Sequence, residues 1–529
     1  MKKKQLKFLS LLMALGMTMG MTACGGKDTE QTLDVYLLVH GYGKLWLDSA
    51  LERFQKTDWV KEKYPQLKVN YQFDSNDMMA AQKLQAGASI NKYDLLFSVN
   101  LQQYADGGYL ADLTDLVYNS EVPGEKDVKV IDKVPQRVLD KIKNFSDSKY
   151  YVSSYIQGMY GMLYNATLLK SMNLEVPLTT DQFLETAAII QNTGYTDGYG
   201  ERQTKVIMNN ASDDYWRTSF DVWWAQYEGV SGYEDYFRGY DAAEEKTGSI
   251  TVLDQEGRLE SLKVIESILS KYNNATKNGD YMRTQVSFLA GEGVFHYNGD
   301  YFAGEMQADI DVLKEDGIDY DIKYMKMPVI SAIRKHTPSI TSDEALRDVI
   351  KEIDADKSYD ESTAKINGVT EKDYLKIVEA RGVAGYSAAN SQAAVIPSYA
   401  KGKEIAADFL RFMYTDESIK DFTLSSGGML FPSTYSIIDD GEVVEKVNPI
   451  SKSMYEIFKG TSNCSFKYLP SAGGTLLGRG GLTSLKFDGK FEVYFNQGDE
   501  TKTAEAILAA EKNKWAGSAW EQMVASSGL

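Results

Sequence analysis

The chain has 529 residues, with 75 acidic and 57 basic side chains giving a formal charge of −18. That length allows two or more domains with separate cores, and the acidity argues against a nucleic-acid partner, which needs clustered Lys and Arg. With only Cys24 and Cys464 present, a disulfide framework and a cysteine-based zinc site are both excluded. His40, His296 and His336 lie far apart and read as single polar or packed side chains.

Met1-Lys2-Lys3-Lys4 is a positive start, and Phe8 to Ala23 is apolar and free of charge, too short for a bilayer span. The run ends in Met21-Thr22-Ala23-Cys24, which resembles the lipobox of bacterial lipoproteins. Residues 1–23 are therefore expected to be a signal peptide, with Cys24 the lipidated (palmitate-bearing) residue. Residues 24–32, rich in Gly and polar side chains, are the expected tether. The remaining chain would be held outside the cytoplasm, lipid-anchored to the bacterial cell membrane.

Leu33 to Val39 reads as a strand, closed by His40-Gly41-Tyr42-Gly43. Trp46, Leu47, Leu51 and Phe54 follow at helical spacing. Val69, Tyr71 and Phe73 alternate as a half-buried strand, and Asp74 to Asp77 offer caps for the next helix. Tyr93 to Val99 is a further strand. This β-α alternation predicts a parallel sheet with helices on both faces, whose ligands bind at the carboxyl ends of strands. His40 to Tyr42 and Ser98 to Asn100 become candidate cleft positions.

A second region starts near Tyr150, with strands at Tyr151 to Ile156 and Tyr160 to Tyr164. Thr179 and Gln182 have capping-box spacing. Tyr215 to Gly229, YWRTSFDVWWAQYEG, holds three of the seven tryptophans. On a helical wheel Trp216, Phe220, Trp223 and Tyr227 share one stripe, the sign of a buried face. The loop at Asn192 to Glu201 has too few carboxylates for a calcium cage. Asp354 to Asp360 begins like an EF-hand but has Tyr359 where Gly is needed and Lys365 in place of the bidentate Glu. Both read as solvated turns. Ser342 to Glu379 is dense in charge, with Leu346, Val349, Ile350 and Ile353 at helical spacing, and reads as a helical insertion at about 331–380. No nucleotide-binding glycine pattern stands at a strand-to-helix junction, and neither cofactor nor metal is expected.

Several stretches, taken in order, resemble the extracellular solute-binding proteins of ABC importers, in particular the sugar-binding group that includes maltose-binding proteins. They are LDVYLLVHGYGKLWLDSALERFQK, YDLLFSVNLQQYADGGYLADLTDL, YGMLYNATLLKSMNLEVPLTTDQFLETA, FLAGEGVFHYNGDYF and AAVIPSYAKGKEIAADFLRFMYTDESIKDF. The resemblance implies an α/β, two-lobed periplasmic-binding-protein fold with hinge crossovers (type II-like). Lobe 1 would be 33–150 and 387–430, and lobe 2 would be 151–386 and 431–529. Crossovers would fall near Tyr150 to Tyr155, Gly382 to Tyr386 and Phe431. The implied role is capture of a carbohydrate, an oligosaccharide above all, for delivery to the permease subunits of the transporter, by a monomer without catalysis.

The same resemblance implies a site. Tyr42, Asn100 and Gln102 would line one lobe, and Tyr155 and Gln157 would follow the crossover. Asp300 and Tyr301 would occupy a glycine-acid-aromatic turn, with Tyr386 at the return. It also sets the N-terminal end of the tryptophan-rich helix toward the cleft, which makes Asp214, Tyr215 and Trp216 candidate sugar contacts, with Trp216 foremost. Aromatic plates beside carboxylates and amides suit a sugar, whose faces are apolar and whose rim carries hydroxyls. Two alternatives stay open. One is a cell-surface glycan-binding lipoprotein without an importer. The other is a glycoside hydrolase using two of Asp213, Asp214, Asp221 and Asp300.

Overall fold

The computed structural model describes residues 31–144, 146–207, 214–272, 281–387, 392–470, 472, 475–495 and 499–529, with the side chains of Asp214 and Tyr281 left out. The signal segment, Cys24, the tether through residue 30 and Asp213 lie outside the described residues. Among those described, no helix is long and apolar enough to cross a membrane.

Among the described residues nine strands fall in two sheets. They are β1 (Thr32–Leu38), β2 (Lys68–Asp74), β3 (Leu95–Val99), β4 (Ser153–Ser154), β5 (Tyr160–Asn165), β6 (Lys205–Ile207), β7 (Gly293–Gly299), β8 (Ile322–Met325) and β9 (Gln392–Val395). The first sheet has the order β2-β1-β3-β9-β4, and the second β6-β7-β5-β8. Val35 of β1 pairs with Tyr71 and Leu95 in parallel, whereas Leu96 meets Val395 and Ser153 meets Ala394 antiparallel. In the second sheet only β6 and β7 run parallel; β5 is antiparallel to both β7 and β8. The all-parallel expectation therefore holds for β1 to β3 alone. β4 and β9 belong to segments that join the two sheets, so β9 enters the first sheet from the opposite direction.

There are two core clusters, and the first reaches past the first sheet to Leu163 of β5 and Ile322 and Tyr324 of β8. Leu33, Val35, Leu37, Trp46, Phe54, Phe97 and Phe409 belong to the first. Met162, Trp216, Trp223, Trp224, Phe295, Ile350 and Trp520 belong to the second. The Leu45–Lys56 helix buries Trp46, Leu47, Leu51 and Phe54, the face its spacing predicts. Asn76 Oδ1 accepts the Met78 N–H (3.0 Å) at the start of the Met78–Ala86 helix. Thr179 Oγ1 accepts the Gln182 N–H (3.2 Å), while Gln182 Oε1 reaches one residue further back, to the Leu178 N–H (2.8 Å). The charged stretch from Ser342 forms helices at Asp343–Asp354, Thr363–Ile366 and Glu371–Gly382. Its apolar stripe of Leu346, Val349, Ile350 and Ile353 is part of the second core.

Neither calcium-like loop holds a cage. The Asp197 carboxylate accepts the Glu201 and Arg202 N–H groups of its own turn. Asp354 is more than a solvated turn residue, since it pairs with Lys326 (2.6 Å) and Arg381 (2.7 Å). Among the described residues no group of three or more His, Cys, Asp or Glu is placed to hold a metal ion.

Three segments carry the chain between the sheets. The first runs from β4 to β5, and the second through Tyr386 to β9. The third leaves the Asp416–Ser425 helix and leads to the Pro449–Lys459 helix, which lies on β8. All three meet at Gln157. Its N–H donates to the Leu430 carbonyl (2.8 Å), and its own carbonyl accepts the Ser387 hydroxyl (2.8 Å). Gly427, with φ +78°, passes so close to Gly304 that an added Cβ would lie 2.8 Å from the Gly304 Cα. Only glycine fits that conformation and that approach.

Candidate functional site

At the carboxyl end of β1 the chain turns through His40 to Gly43 and meets the turn after β7. A Cβ on Gly41 would lie 2.7 Å from Tyr301 Cδ2 and 3.2 Å from the Glu305 carboxyl. The two halves are thus in contact here. Tyr42, 5 % exposed, donates from its hydroxyl to Gln392 Oε1 (2.8 Å), and Tyr155 Oη lies 3.1 Å away. Trp46 stacks on the Tyr155 ring with centroids 5.0 Å apart, which fixes that ring from the first core. Burial raises both phenols above their ordinary pKa.

On the other side, Tyr301 and Tyr215 share a hydrogen bond of 2.8 Å between hydroxyls. The Tyr160 ring stands edge-on to Tyr301 (6.1 Å, 82°) and tilted to Tyr215 (5.9 Å). Tyr160 and Tyr386 exchange both backbone hydrogen bonds at 2.8 Å, which draws the second crossover against β5. Tyr297 extends the group, with its ring 6.5 Å from that of Tyr215. Tyr160, Tyr297 and Gln392 are not legible as site residues in the sequence, because their places depend on pairings between distant segments. Tyr215, expected with Trp216 at the cleft end of its helix, is the one of the two whose ring stands in this cluster.

Two carboxyl groups face this tyrosine cluster. The Asp300 N–H donates to the Met159 carbonyl (2.9 Å), but its Oδ2 is buried without a partner. Asp221, on the Asp214–Glu228 helix, has a buried Oδ1 without a partner and lies within electrostatic reach of Tyr297 and Tyr386. Burial pushes each carboxyl from 3.8 up to about 7; a hydrogen bond with Ser484, then Arg217 and Arg258, oppose the rise at Asp221. Buried polar atoms are seldom left unpaired, and these two acceptor oxygens have no donor among the described residues.

Of the residues expected at the site, Tyr42, Tyr155, Asp300, Tyr301 and Tyr386 come together here. Gln157 sits at the junction of the three crossing segments and lines a cavity of about 510 Å3 with Arg137, Phe431 and Tyr435. Asn100 is exposed, in the left-handed region with φ +53°. Gln102 turns inward, donating from Nε2 to the Ile142 carbonyl (3.0 Å), and so supports the first core instead of lining the cleft. Asp214 begins the helix, and its side chain lies outside the description.

Trp216 requires a correction. It is fully buried, and its indole N–H donates to Glu492 Oε1 (3.1 Å). Trp223 and Trp224 are equally enclosed, with their N–H groups on the Pro328 carbonyl (3.1 Å) and Gln255 Oε1 (2.7 Å). The stripe packs as the helical wheel requires, and no tryptophan face on this helix is left for stacking.

With this geometry in view, comparison with known proteins is informative. Residues 46–420 match the sequence profile described as "bacterial extracellular solute-binding protein". The chain belongs to that family. No curated protein matches the sequence. Solved structures match along nearly its whole length. MalE from Bdellovibrio bacteriovorus, bound to maltotriose, is 13% identical with a TM-score of 0.53, over 94% of this chain and 98% of its own. The GacH receptor of Streptomyces glaucescens, whose structures include a complex with acarbose, is 15% identical with a TM-score of 0.52, over 94% and 96%. UgpB from Mycobacterium tuberculosis, in complex with glycerophosphocholine, is 14% identical with a TM-score of 0.57, over 94% and 99%. At such identities the likeness fixes the fold, a two-lobed α/β binding protein.

Proposed function

We propose that this solute-binding protein captures a carbohydrate, in particular an oligosaccharide, between its two halves and delivers it to the permease of an ABC importer. The observation that carries this reading is the tyrosine cluster at the sheet junction with two unpartnered, buried carboxyl oxygens. Tyrosine rings suit the C–H faces of a sugar, and Asp300 Oδ2 and Asp221 Oδ1 suit its hydroxyl donors. MalE and GacH, whose complexes hold maltotriose and acarbose, agree with it. UgpB holds glycerophosphocholine, but a phosphodiester here would face two carboxyls, so the sugar is preferred.

In this reading 33–150 with 387–430 and 151–386 with 431–529 are the two lobes. Ligand that touches both lobes only when they are closed shifts the population toward the closed form. Cys24 carries the lipid, and the chain acts as a monomer outside the cytoplasm without altering its ligand. The test is a calorimetric and thermal-shift screen over diverse oligosaccharides, with amino acids, peptides and glycerophosphodiesters as controls. Stabilisation by an oligosaccharide without turnover supports the receptor. Release of reducing ends, or stabilisation by a control alone, overturns it.

A further inference from the structure

Away from the tyrosine cluster, two groups of charged contacts cross between the parts of the chain that belong to the two cores. Arg479 follows Leu477 of the second core, and its guanidinium pairs with Asp106, which follows Ala105 of the first. It also donates to Ser146 Oγ (2.8 Å) and Asn144 Oδ1 (3.2 Å). Asn144 and Ser146 in turn donate to the Asp106 carboxylate at 2.9 Å, so the acceptor is held in place from its own side. Asp147, which accepts from Asn144, is the other acid facing this group.

The second contact is Lys141 with Glu234. Lys141 precedes Ile142 of the first core, while Glu234 lies on the Val230–Arg238 helix, whose Tyr233, Tyr236 and Phe237 are in the second. Glu234 also pairs with Arg238 of its own helix (3.2 Å). Arg479 and Lys141 are 16% and 19% exposed, so neither pair is sealed from solvent. Residue 479 lies beyond the 46–420 stretch that matches the family profile.

We propose that Arg479 and Lys141 form an ionic latch, supplied in part by the C-terminal segment, that holds the two halves together before ligand arrives. Partly exposed pairs add small increments and weaken in salt. Two of them together change a closed-to-open ratio by about tenfold, the effect of roughly 1.4 kcal/mol. A latched receptor keeps more of its population in the binding-competent arrangement, which raises apparent affinity by at most the same factor. It also makes that affinity sensitive to ionic strength even for an uncharged ligand. The latch rests on the two-lobed receptor reading only in requiring that the halves can part.

Small-angle scattering of the ligand-free protein tests it without reference to any ligand. The radius of gyration should rise between about 20 and 500 mM NaCl, where screening becomes strong. The double variant Arg479→Ala/Lys141→Ala should be open already at low salt, with its closed-to-open ratio reduced about tenfold. In wild-type Lys141, Arg479→Asp alone should raise the radius, and the exchange Arg479→Asp/Asp106→Arg should bring it back toward the wild-type value. An unchanged radius in wild type across the salt range overturns the latch, as does a folded double variant that scatters like wild type. If the double variant does not fold, the wild-type salt series decides alone. A negative sugar screen would refute the proposed ligand class and leave these scattering results standing.

Discussion

The Tyr215 hydroxyl lies 2.8 Å from that of Tyr301, joining the first turn of the tryptophan-rich helix to the turn after β7. Tyr301→Phe breaks this pair while keeping the ring that Tyr160 meets edge-on. Oligosaccharide affinity should fall by roughly 5- to 30-fold, the effect of about 1–2 kcal/mol, with little change in ligand-free melting. Isothermal calorimetry against the best ligand of the screen measures this, and unaltered affinity would exclude the hydroxyl from the site.

Trp216→Ala should behave in the opposite way. Its side chain is enclosed in the second core, so truncation opens a cavity and removes about 3–5 kcal/mol of stability. Urea unfolding checks this. A midpoint like that of wild type would mean that the indole is not buried, and would reopen its use as a stacking plate.

Asp221 and Asp300 predict how stability and binding follow pH. Burial raises both from 3.8 to about 7, so the folded protein retains protons that the unfolded chain gives up. Their contribution is fully present below about pH 4 and is lost as pH rises toward 7. The melting temperature at pH 5 should exceed that at pH 7, and Asp300→Asn should flatten the slope between them. Sugar hydroxyls that donate to these oxygens favour the ionised form, so binding near pH 6.5 should release protons. Calorimetry in buffers of different ionisation enthalpy reads that release directly.

Arg258 and Glu511 form a 2.6 Å pair with each side chain only 1% exposed, and the guanidinium lies over the rings of Trp224 and Tyr236. Removing one partner strands a buried charge, so Glu511→Ala should destabilise by about 3–5 kcal/mol. Breaking the exposed Lys56–Glu52 pair by Glu52→Ala should cost well under 1 kcal/mol. Guanidinium unfolding of the two variants side by side tests the contrast.

Much of this arrangement was legible from short-range pattern. The apolar run at β1, the spacing of Trp46 to Phe54 and the cap at Thr179 each report local geometry, and each is found. Trp216 shows where two signals disagreed. Its helical stripe pointed to the core, the family resemblance pointed to the cleft, and packing follows the stripe. Gln102 looked like a cleft residue because it follows a strand end, but a single turn swings its amide toward Ile142. The direction of β9 and the meeting of Tyr160 with Tyr386 were not legible, since each depends on where a segment more than two hundred residues away re-enters a sheet.

The tie between Arg258 and Glu511 also bears on the order in which the molecule can form. Ile507, Trp515, Trp520 and Met523 complete the core that begins with Met162, and the Trp520 indole N–H donates to the Gly248 carbonyl (2.9 Å). Pairings that close such long loops are entropically late. A chain emerging N-terminus first therefore cannot close this core until Glu511 and Trp520 have appeared.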